Sequence, residues 1–339
     1  MATSNETDMS LVRTTVQELA ATVEEPPREY VIDEMLDAAD EMPEPIPLID
    51  LSRLTAVDEA DKLRAALQTW GLFLATNHGI EESLMDAMMS ASREFFRQPS
   101  EEKQKYSNLI DGKHFEMEGY GNDKVVTQDQ GLSWNDRLHL RVEPEDERNF
   151  AKWPTHPASF RDVLHEYASN TKRTRDLILR SIAKLLDLDE DYFVNQISNK
   201  AIGFARFNYY PPCPRPDLVL GRRSHTDGGL LTILFVDQDV GGLQVERAGK
   251  WYNVPAKPYT LVINVADCME IMTNGIFRSP VHRVVTNADK ERLSLARFYA
   301  VDAETVLEPA PSLLDDKRPP RYEKIKAKDF VSFSRLKSS

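Results

Sequence analysis

The sequence predicts an α+β protein: a double-stranded β-helix, or jelly roll, with flanking N-terminal helices and a C-terminal tail. Two observations carry this expectation. Between residues 202 and 300 the chain breaks into short β-like runs separated by Pro, Gly and Asn-Gly. Their spacing of roughly ten residues is the texture of a sandwich or barrel, not of alternating strand and helix units. Upstream, from about 58 to 187, apolar residues recur at three- and four-residue intervals, the period of amphipathic helices.

Residues 1–45 read as an acidic leader, expected to be solvated and partly mobile. They hold 12 Asp and Glu against only Arg13 and Arg28, so most of the chain's formal charge of −13 sits there. Within the leader TTVQELA reads as a short helix on the main body, ended by Glu24-Glu25-Pro26-Pro27. Residues 46–190 form a mixed α/β region. After a Pro-rich hinge at 42–47, Leu48–Leu51 reads as a strand; residues 58–70 read as a helix burying Leu63, Ala66, Leu67 and Trp70. Residues 71–76 are strand-like and Asn77-His78-Gly79 closes them as a turn. A second helix at 81–97 presents Leu84, Met85, Met88, Met89 and Phe95 and stops before Pro99. The polar stretch to about 156 is the least regular part. A long helix at 158–187 buries Phe160, Leu164, Tyr167, Leu177, Ile178, Ile182, Leu185 and Leu186. Residues 191–300 form the jelly roll, in the runs IGFARFNYY, LLTILFV, GLQVE, KWYNVP, TLVINV, PVHRVVT and LSLARFY; residues 301–339 read as loop and helical tail.

Composition narrows the function. At 339 residues the chain exceeds the length at which one core stops growing, so one large domain with sublobes, or two domains, is expected. No apolar run reaches the ~18–20 residues needed to span a bilayer, and MATSNETDMS has no signal-peptide pattern. Two cysteines, Cys213 and Cys268, make no disulfide framework and suit a reducing compartment. A cytoplasmic monomer with a small-molecule organic substrate is therefore expected, with no nucleic acid or membrane as partner.

The chemistry-bearing residues lie in the jelly-roll half. His225 and Asp227 stand two apart, so in an extended chain they share a face and can share a cation. With seven histidines in the chain, one His-x-Asp pair alone is close to a chance event. His114-x-Glu116 is a similar pair in a polar loop with no strand after it, and His114 reads as solvated or as supporting a site without binding a metal itself. His282, on another strand, supplies a third group. Two His and one carboxylate make the facial triad of non-haem Fe(II) oxygenases, with three coordination positions open. In isolation His282 reads as well as a hydrogen-bonded core residue. Ten residues on, Arg292 and Ser294 alternate on one strand face, a guanidinium fork and a hydroxyl suited to a carboxylate. A cation beside an iron site suits a dicarboxylate spanning from metal to Arg; 2-oxoglutarate meets that need.

In order and spacing, Asn208-Tyr209-Tyr210-Pro211-Pro212-Cys213-Pro214, His225-x-Asp227, Asn274-Gly275, His282-Arg283-Val284 and Arg292-x-Ser294 resemble the plant 2-oxoglutarate/Fe(II)-dependent dioxygenases of specialised metabolism. The likeness runs from Pro47 to about Phe333. Residues 119–130, 136–147 and 275–295 look closest to the group that hydroxylates triketone herbicides and its relatives. The resemblance implies that His225, Asp227 and His282 bind Fe(II). It implies that Arg292 and Ser294 hold the distal carboxylate of 2-oxoglutarate, with help from Asn208 and Tyr210. Phe298 matches a position that packs on the organic substrate, and Arg206 and Trp134 are further pocket candidates. A buried packing role suits Phe298 equally well and Trp134 better. His78 matches a structural turn residue. O2 would be the co-reactant, ascorbate an optional reductant, and succinate and CO2 products of an oxidation, foremost a hydroxylation. Ala266 stands before Asp267 where many relatives have Gly. Ser339 ends the chain short of the family's usual C-terminal helix, which suggests a more open mouth. Rival readings are an ascorbate-dependent oxidase of the same fold, a non-catalytic jelly-roll binder with a structural metal, and a zinc hydrolase, for which the Arg292–Ser294 pair has no obvious task.

Overall fold

The structure, a computed structural model, describes residues 14–33, 35–110, 114–123, 131–198, 200–237 and 240–330. The start of the acidic leader, the family-like stretch 124–130 and the last residues of the tail lie outside the described residues.

The first half of the chain supplies helices α1 (Val16–Thr22), α2 (Val57–Thr69), α3 (Glu82–Arg97), α4 (Ser100–Gln104) and α5 (Phe160–Leu185). Between them run strands β1 (Leu48–Asp50), β2 (Leu72–Thr76), β3 (Leu109–Ile110), β4 (His114–Phe115), β5 (Gly119–Gly121) and β6 (Asp136–Glu143). The jelly roll follows as β7 (Gly203–Tyr210), β8 (Leu220–His225), β9 (Leu231–Val236), β10 (Leu243–Arg247), β11 (Lys250–Asn253) and β12 (Leu261–Val265). Helix α6 (Asp267–Met272) then leads to β13 (His282–Val285) and β14 (Arg292–Tyr299). Among the described residues, one sheet has the order β1-β2-β12-β9-β14-β7-β6-β5 and the facing one β11-β10-β13-β8.

Strand alternation sorts the large sheet into two faces. Leu293, Leu295, Phe207, Ile233, Phe235, Leu138 and Leu140 point outward into a core shared with α2, α3 and α5. Each such fully buried apolar side chain is worth about 1.5–3 kcal/mol. The opposite face looks toward the small sheet, where Leu74, Val262, Leu243, Val245 and Val284 fill one end of the sandwich. The other end is lined by polar groups and holds the site described below. Gly71 starts β2 with φ +68 and its backbone against the Arg278 carbonyl, so a side chain there would be both strained and crowded.

Several expectations need correcting. The stretch read as irregular contains β6, an eight-residue strand paired along β7. Its Arg and His hid a strand because one of its faces serves a polar interior. Strand β8, which carries His225 at its end, was also missed. Leu177, expected on the buried stripe of α5, is 41% exposed. In the described part of the leader most acids are exposed, while a few apolar residues dock it on the body. Thr15 and Glu18 cap α1 reciprocally, and Val16, Leu19 and Tyr30 bury against Trp134, Cys213 and Val219. Its acids pair with the body: Glu44 with Arg247 at 2.6 Å and Asp40 with Lys250 at 3.2 Å. In the tail, β15 (Val306–Leu307) pairs with β16 (Ile325–Lys326), and Leu307, Leu313 and Ala327 join the main core. His114 is exposed, as a solvated residue should be. Among the described residues no helix is long and apolar enough to cross a membrane.

Candidate metal and cosubstrate site

His225 closes β8 and His282 opens β13, and the two strands pair so that these residues stand opposite each other. Their rings lie 4.3 Å apart. Asp227 follows two residues after His225, and its Oδ1 is 3.8 Å from Nε2 of both histidines. Ligand atoms of all three fall within 4.8 Å of one another, room for one cation at ordinary coordination distances.

The remaining atoms of the three side chains are already committed, which aims the free ones inward. His225 Nδ1 lies 2.8 Å from the Arg223 carbonyl and His282 Nδ1 3.0 Å from that of Pro280. A carbonyl only accepts, so each Nδ1 carries the proton and each Nε2 presents a lone pair. Asp227 Oδ2 accepts from Thr232 Oγ1 at 2.7 Å and from Asn264 Nδ2 at 2.8 Å, leaving Oδ1 for a metal. Burial first, with the Arg222 charge adding to it, pushes His225 well below the usual histidine range. Burial opposes charge on Asp227, but the facing imidazoles and the Thr232 and Asn264 bonds hold its carboxyl below the ordinary value. A neutral His225 and an ionised Asp227 are the states a ferrous ion requires.

Strand β14 supplies the other half. Arg292, Ser294, Ala296 and Phe298 alternate on its inner face and pair across to Tyr210, Asn208, Arg206 and Phe204 of β7. Arg292 is 2% exposed, and among the described residues none of its three side-chain nitrogens makes a hydrogen bond of good geometry, with the Tyr210 side chain near enough to favour its charge. Its Cζ lies 5.0 Å from the centre of the Tyr210 ring, which offsets part of the charge. A buried guanidinium fork without a well-placed acceptor is costly unless a carboxylate arrives, so the arrangement fits the distal end of 2-oxoglutarate. Asn208 Nδ2 donates to Ser294 Oγ at 3.4 Å and its Oδ1 accepts from Arg206 Nε at 2.7 Å.

His225, Asp227, His282, Arg292, Ser294, Asn208, Tyr210, Arg206 and Phe298 thus line one cavity. Trp134 does not. It is fully buried in the leader-facing cluster, edge-on to Tyr30 at 5.2 Å, with Nε1 donating to the Pro212 carbonyl. Its place as a pocket residue is therefore withdrawn; it anchors the leader. His78 is a turn residue, with Nδ1 accepting from Ile80 N and Nε2 beside the Tyr259 carbonyl. Sequence reasoning passed over Thr232 and Asn264. Their signal was polarity inside otherwise apolar strands, LLTILFV and TLVINV. It also passed over Arg222 and His139, which line the same cavity.

Comparison with known proteins agrees with this geometry. The family model of the 2OG-Fe(II) oxygenase superfamily matches residues 202–301, and that of the non-haem dioxygenase in morphine synthesis N-terminal region matches 46–157. The chain is 37% identical to 2-oxoglutarate-dependent dioxygenase 11 of Oryza sativa subsp. japonica, over 84% of this chain and 80% of the rice protein. It is 36% identical to codeine O-demethylase of Papaver somniferum, over 85% and 81%. The crystal structure of JOX2 in complex with 2OG, Fe and JA superposes with a TM-score of 0.87 at 34% identity, over 95% of this chain and 93% of that one. With the fold, the inward-facing donor set and these relatives in agreement, the chain belongs to the plant 2OG-Fe(II) oxygenase family and is an Fe(II)- and 2-oxoglutarate-dependent dioxygenase.

Proposed function

We propose that the chain hydroxylates a small, largely apolar or aromatic specialised metabolite or xenobiotic, with release of succinate and CO2. The observation that carries this is the coexistence, in one cavity, of a His-Asp-His donor set and a buried Arg292 whose nitrogens await an acceptor. In this reading His225, Asp227 and His282 hold Fe(II). Arg292 and Ser294 receive the distal carboxylate of 2-oxoglutarate, supported by Asn208 and Tyr210. Bound there, the ferrous ion supplies the redox chemistry that couples decarboxylation of 2-oxoglutarate to oxidation of the substrate by O2. The protein's own part is to fix the tautomers of both histidines, to orient Asp227, and to shield the reacting centre behind Leu72, Leu234, Val262 and Phe298. A purely structural metal would leave Arg292 without a purpose, which disfavours the binder reading.

Within the family we place the chain with the oxygenases that hydroxylate triketone herbicides and their relatives, on the resemblance of residues 119–130, 136–147 and 275–295. Codeine O-demethylase and flavonoid 7-O-demethylase 1 of Ocimum basilicum are also similar; oxidative loss of a methyl group begins with the same hydroxylation. Two buried cysteines in no disulfide suit the reducing cytoplasm. The test is anaerobic addition of Fe(II) and 2-oxoglutarate, expected to give a visible charge-transfer band. Admission of O2 with a panel of flavonoids, alkaloids, diterpenoids and triketones should then release succinate. A colourless mixture and no succinate would overturn the proposal.

A further inference from the structure

Beside the metal triad, three guanidiniums converge on a single carboxylate. Arg206 of β7 grips Asp123 in a fork, Nη1 to Oδ1 at 2.8 Å and Nη2 to Oδ2 at 2.9 Å. Arg137 of β6 reaches Oδ1 with Nε at 3.1 Å, and Arg222 of β8 bonds Oδ2. Arg137 also donates to the Met117 and Gly119 carbonyls, which ties it to the framework. Arg206 and Arg222 line the metal cavity itself.

The charges here do not balance from within. Asp227 belongs to the metal and Arg292 to the cosubstrate. Among the described residues, that leaves Arg137, Arg206 and Arg222 paired with one carboxylate, Asp123, an excess of two positive charges. His139, between Arg206 and Phe204, adds none: burial, then Arg137 and Arg206, drive its pKa well below the usual range. Such an excess in a partly dehydrated cleft is costly unless an anion is bound during the working cycle. The rigidity is uneven as well. The Arg137 and Arg206 side chains, 2% and 11% exposed, stand on the paired strands β6 and β7, which have a hydrogen-bonded neighbour on both sides. Asp123, 30% exposed, hangs beyond the short edge strand β5. The arginines are the fixed part of this cluster and the carboxylate is the exchangeable one.

Resting on the dioxygenase reading above, we propose that the organic substrate is an acid, a carboxylic acid or an ionised enol. Its anionic group takes the seat between Arg206 and Arg222 that Asp123 fills in the free protein. The apolar body then lies along Phe298 toward the triad, and Asp123 acts as a stand-in that keeps the two arginines poised.

The test measures binding of 3-phenylpropanoic acid, 5-phenylpentanoic acid and 2-benzoylcyclohexane-1,3-dione, with the methyl esters of the two acids and the enol methyl ether of the dione. Binding is read twice: by the shift of the Fe(II)–2-oxoglutarate band under anaerobic conditions, and by calorimetry on metal-free protein. Anions should bind at least about tenfold more tightly than their neutral partners. Asp123→Ala should tighten the acids about three- to tenfold and leave the esters unchanged, a gain that a misfolded variant cannot produce. Arg222→Leu should erase the preference. Acids and esters that bind alike, or fail to bind at all, overturn the proposal, as does a weakening of acids in Asp123→Ala. A protein that forms no coloured complex yet prefers acids in calorimetry would remove the iron reading and leave the acid site standing.

Discussion

Arg292→Met separates the cost of a binding site from its benefit. In the free protein the Arg292 guanidinium is 2% exposed and its Nε, Nη1 and Nη2 make no hydrogen bond of good geometry among the described residues. A buried polar group left unsatisfied costs about 1–3 kcal/mol, more when charged. The Tyr210 ring beneath it, at 5.0 Å, returns about 0.5–2 kcal/mol. Methionine keeps the length and apolar stem and removes the charge, so the free variant should be more stable by about 1–2 kcal/mol. For a chain of this size that is a rise in Tm of a few degrees, at about 2–4 °C per kcal/mol. Cosubstrate binding should move the other way. Removing one partner of a buried charge pair costs about 2–5 kcal/mol, hence a weakening of 2-oxoglutarate by about 30-fold or more. Thermal unfolding with and without 2-oxoglutarate and Mn(II) reads both effects. Saturating ligand at about 100 times Kd should stabilise the native enzyme by about 2.7 kcal/mol and the variant by far less at the same concentration. A variant less stable than the native protein without ligand, or equally stabilised by it, would refute the assignment of Arg292.

Three more outcomes follow from the same structure. Asp227→Ala removes the single anionic ligand and should abolish succinate release and Mn(II) binding while the far-UV spectrum is kept. Asn264→Ala takes away one of the two donors that turn Asp227 Oδ2 from the cavity; metal titration should show affinity lower by about 10- to 100-fold. Asp136 accepts from Val16 N and Gln17 N at the start of α1, and burial pushes its pKa up to about 6 despite those bonds and Lys103. Its folded pKa is above the unfolded value near 3.9, so folding takes up a proton between the two. This group's contribution therefore grows as pH falls from about 6 toward 4, by about 2–3 kcal/mol at most, and is lost again as pH rises through 6. The difference in urea stability between the native chain and Asp136→Asn should change over that window; a difference that stays flat would contradict the shift.

What could be read from the sequence was whatever obeys a short period. Arg292, Ser294 and Phe298 share a face by strand geometry alone, and His225 and Asp227, two apart, meet in the same cavity although β8 ends at His225 and Asp227 lies in the loop that follows. The amphipathic helices at 57–69, 82–97 and 160–185 were legible for the same reason. The rest failed where the usual sense of inside and outside is reversed. In β6 the outward face carries Leu138, Leu140 and Val142 into the core, while Arg137 and His139 point toward the ligand cavity. Both faces are buried, one of them polar, so the strand read as part of an irregular polar stretch. Strand β8, with Arg222, is hidden in the same way.

The leader shows the converse error. Twelve acids in 45 residues suggested solvation, and most of the described ones are exposed, yet a few apolar residues at fixed places decide where the described part sits. Val16, Leu19 and Tyr30 bury on Trp134, and the acids then find Arg215, Arg247 and Lys250 on the body. Exposed ion pairs of this kind are each worth less than about 1 kcal/mol, so they tune a docking that burial drives. One physical distinction links the leader to the substrate site. Charges facing solvent can be numerous and still say little about structure, whereas Arg206, Arg222 and Asp123 are few, partly dehydrated and out of balance. The excess at the cleft carries functional information because water cannot neutralise it cheaply; an anion must.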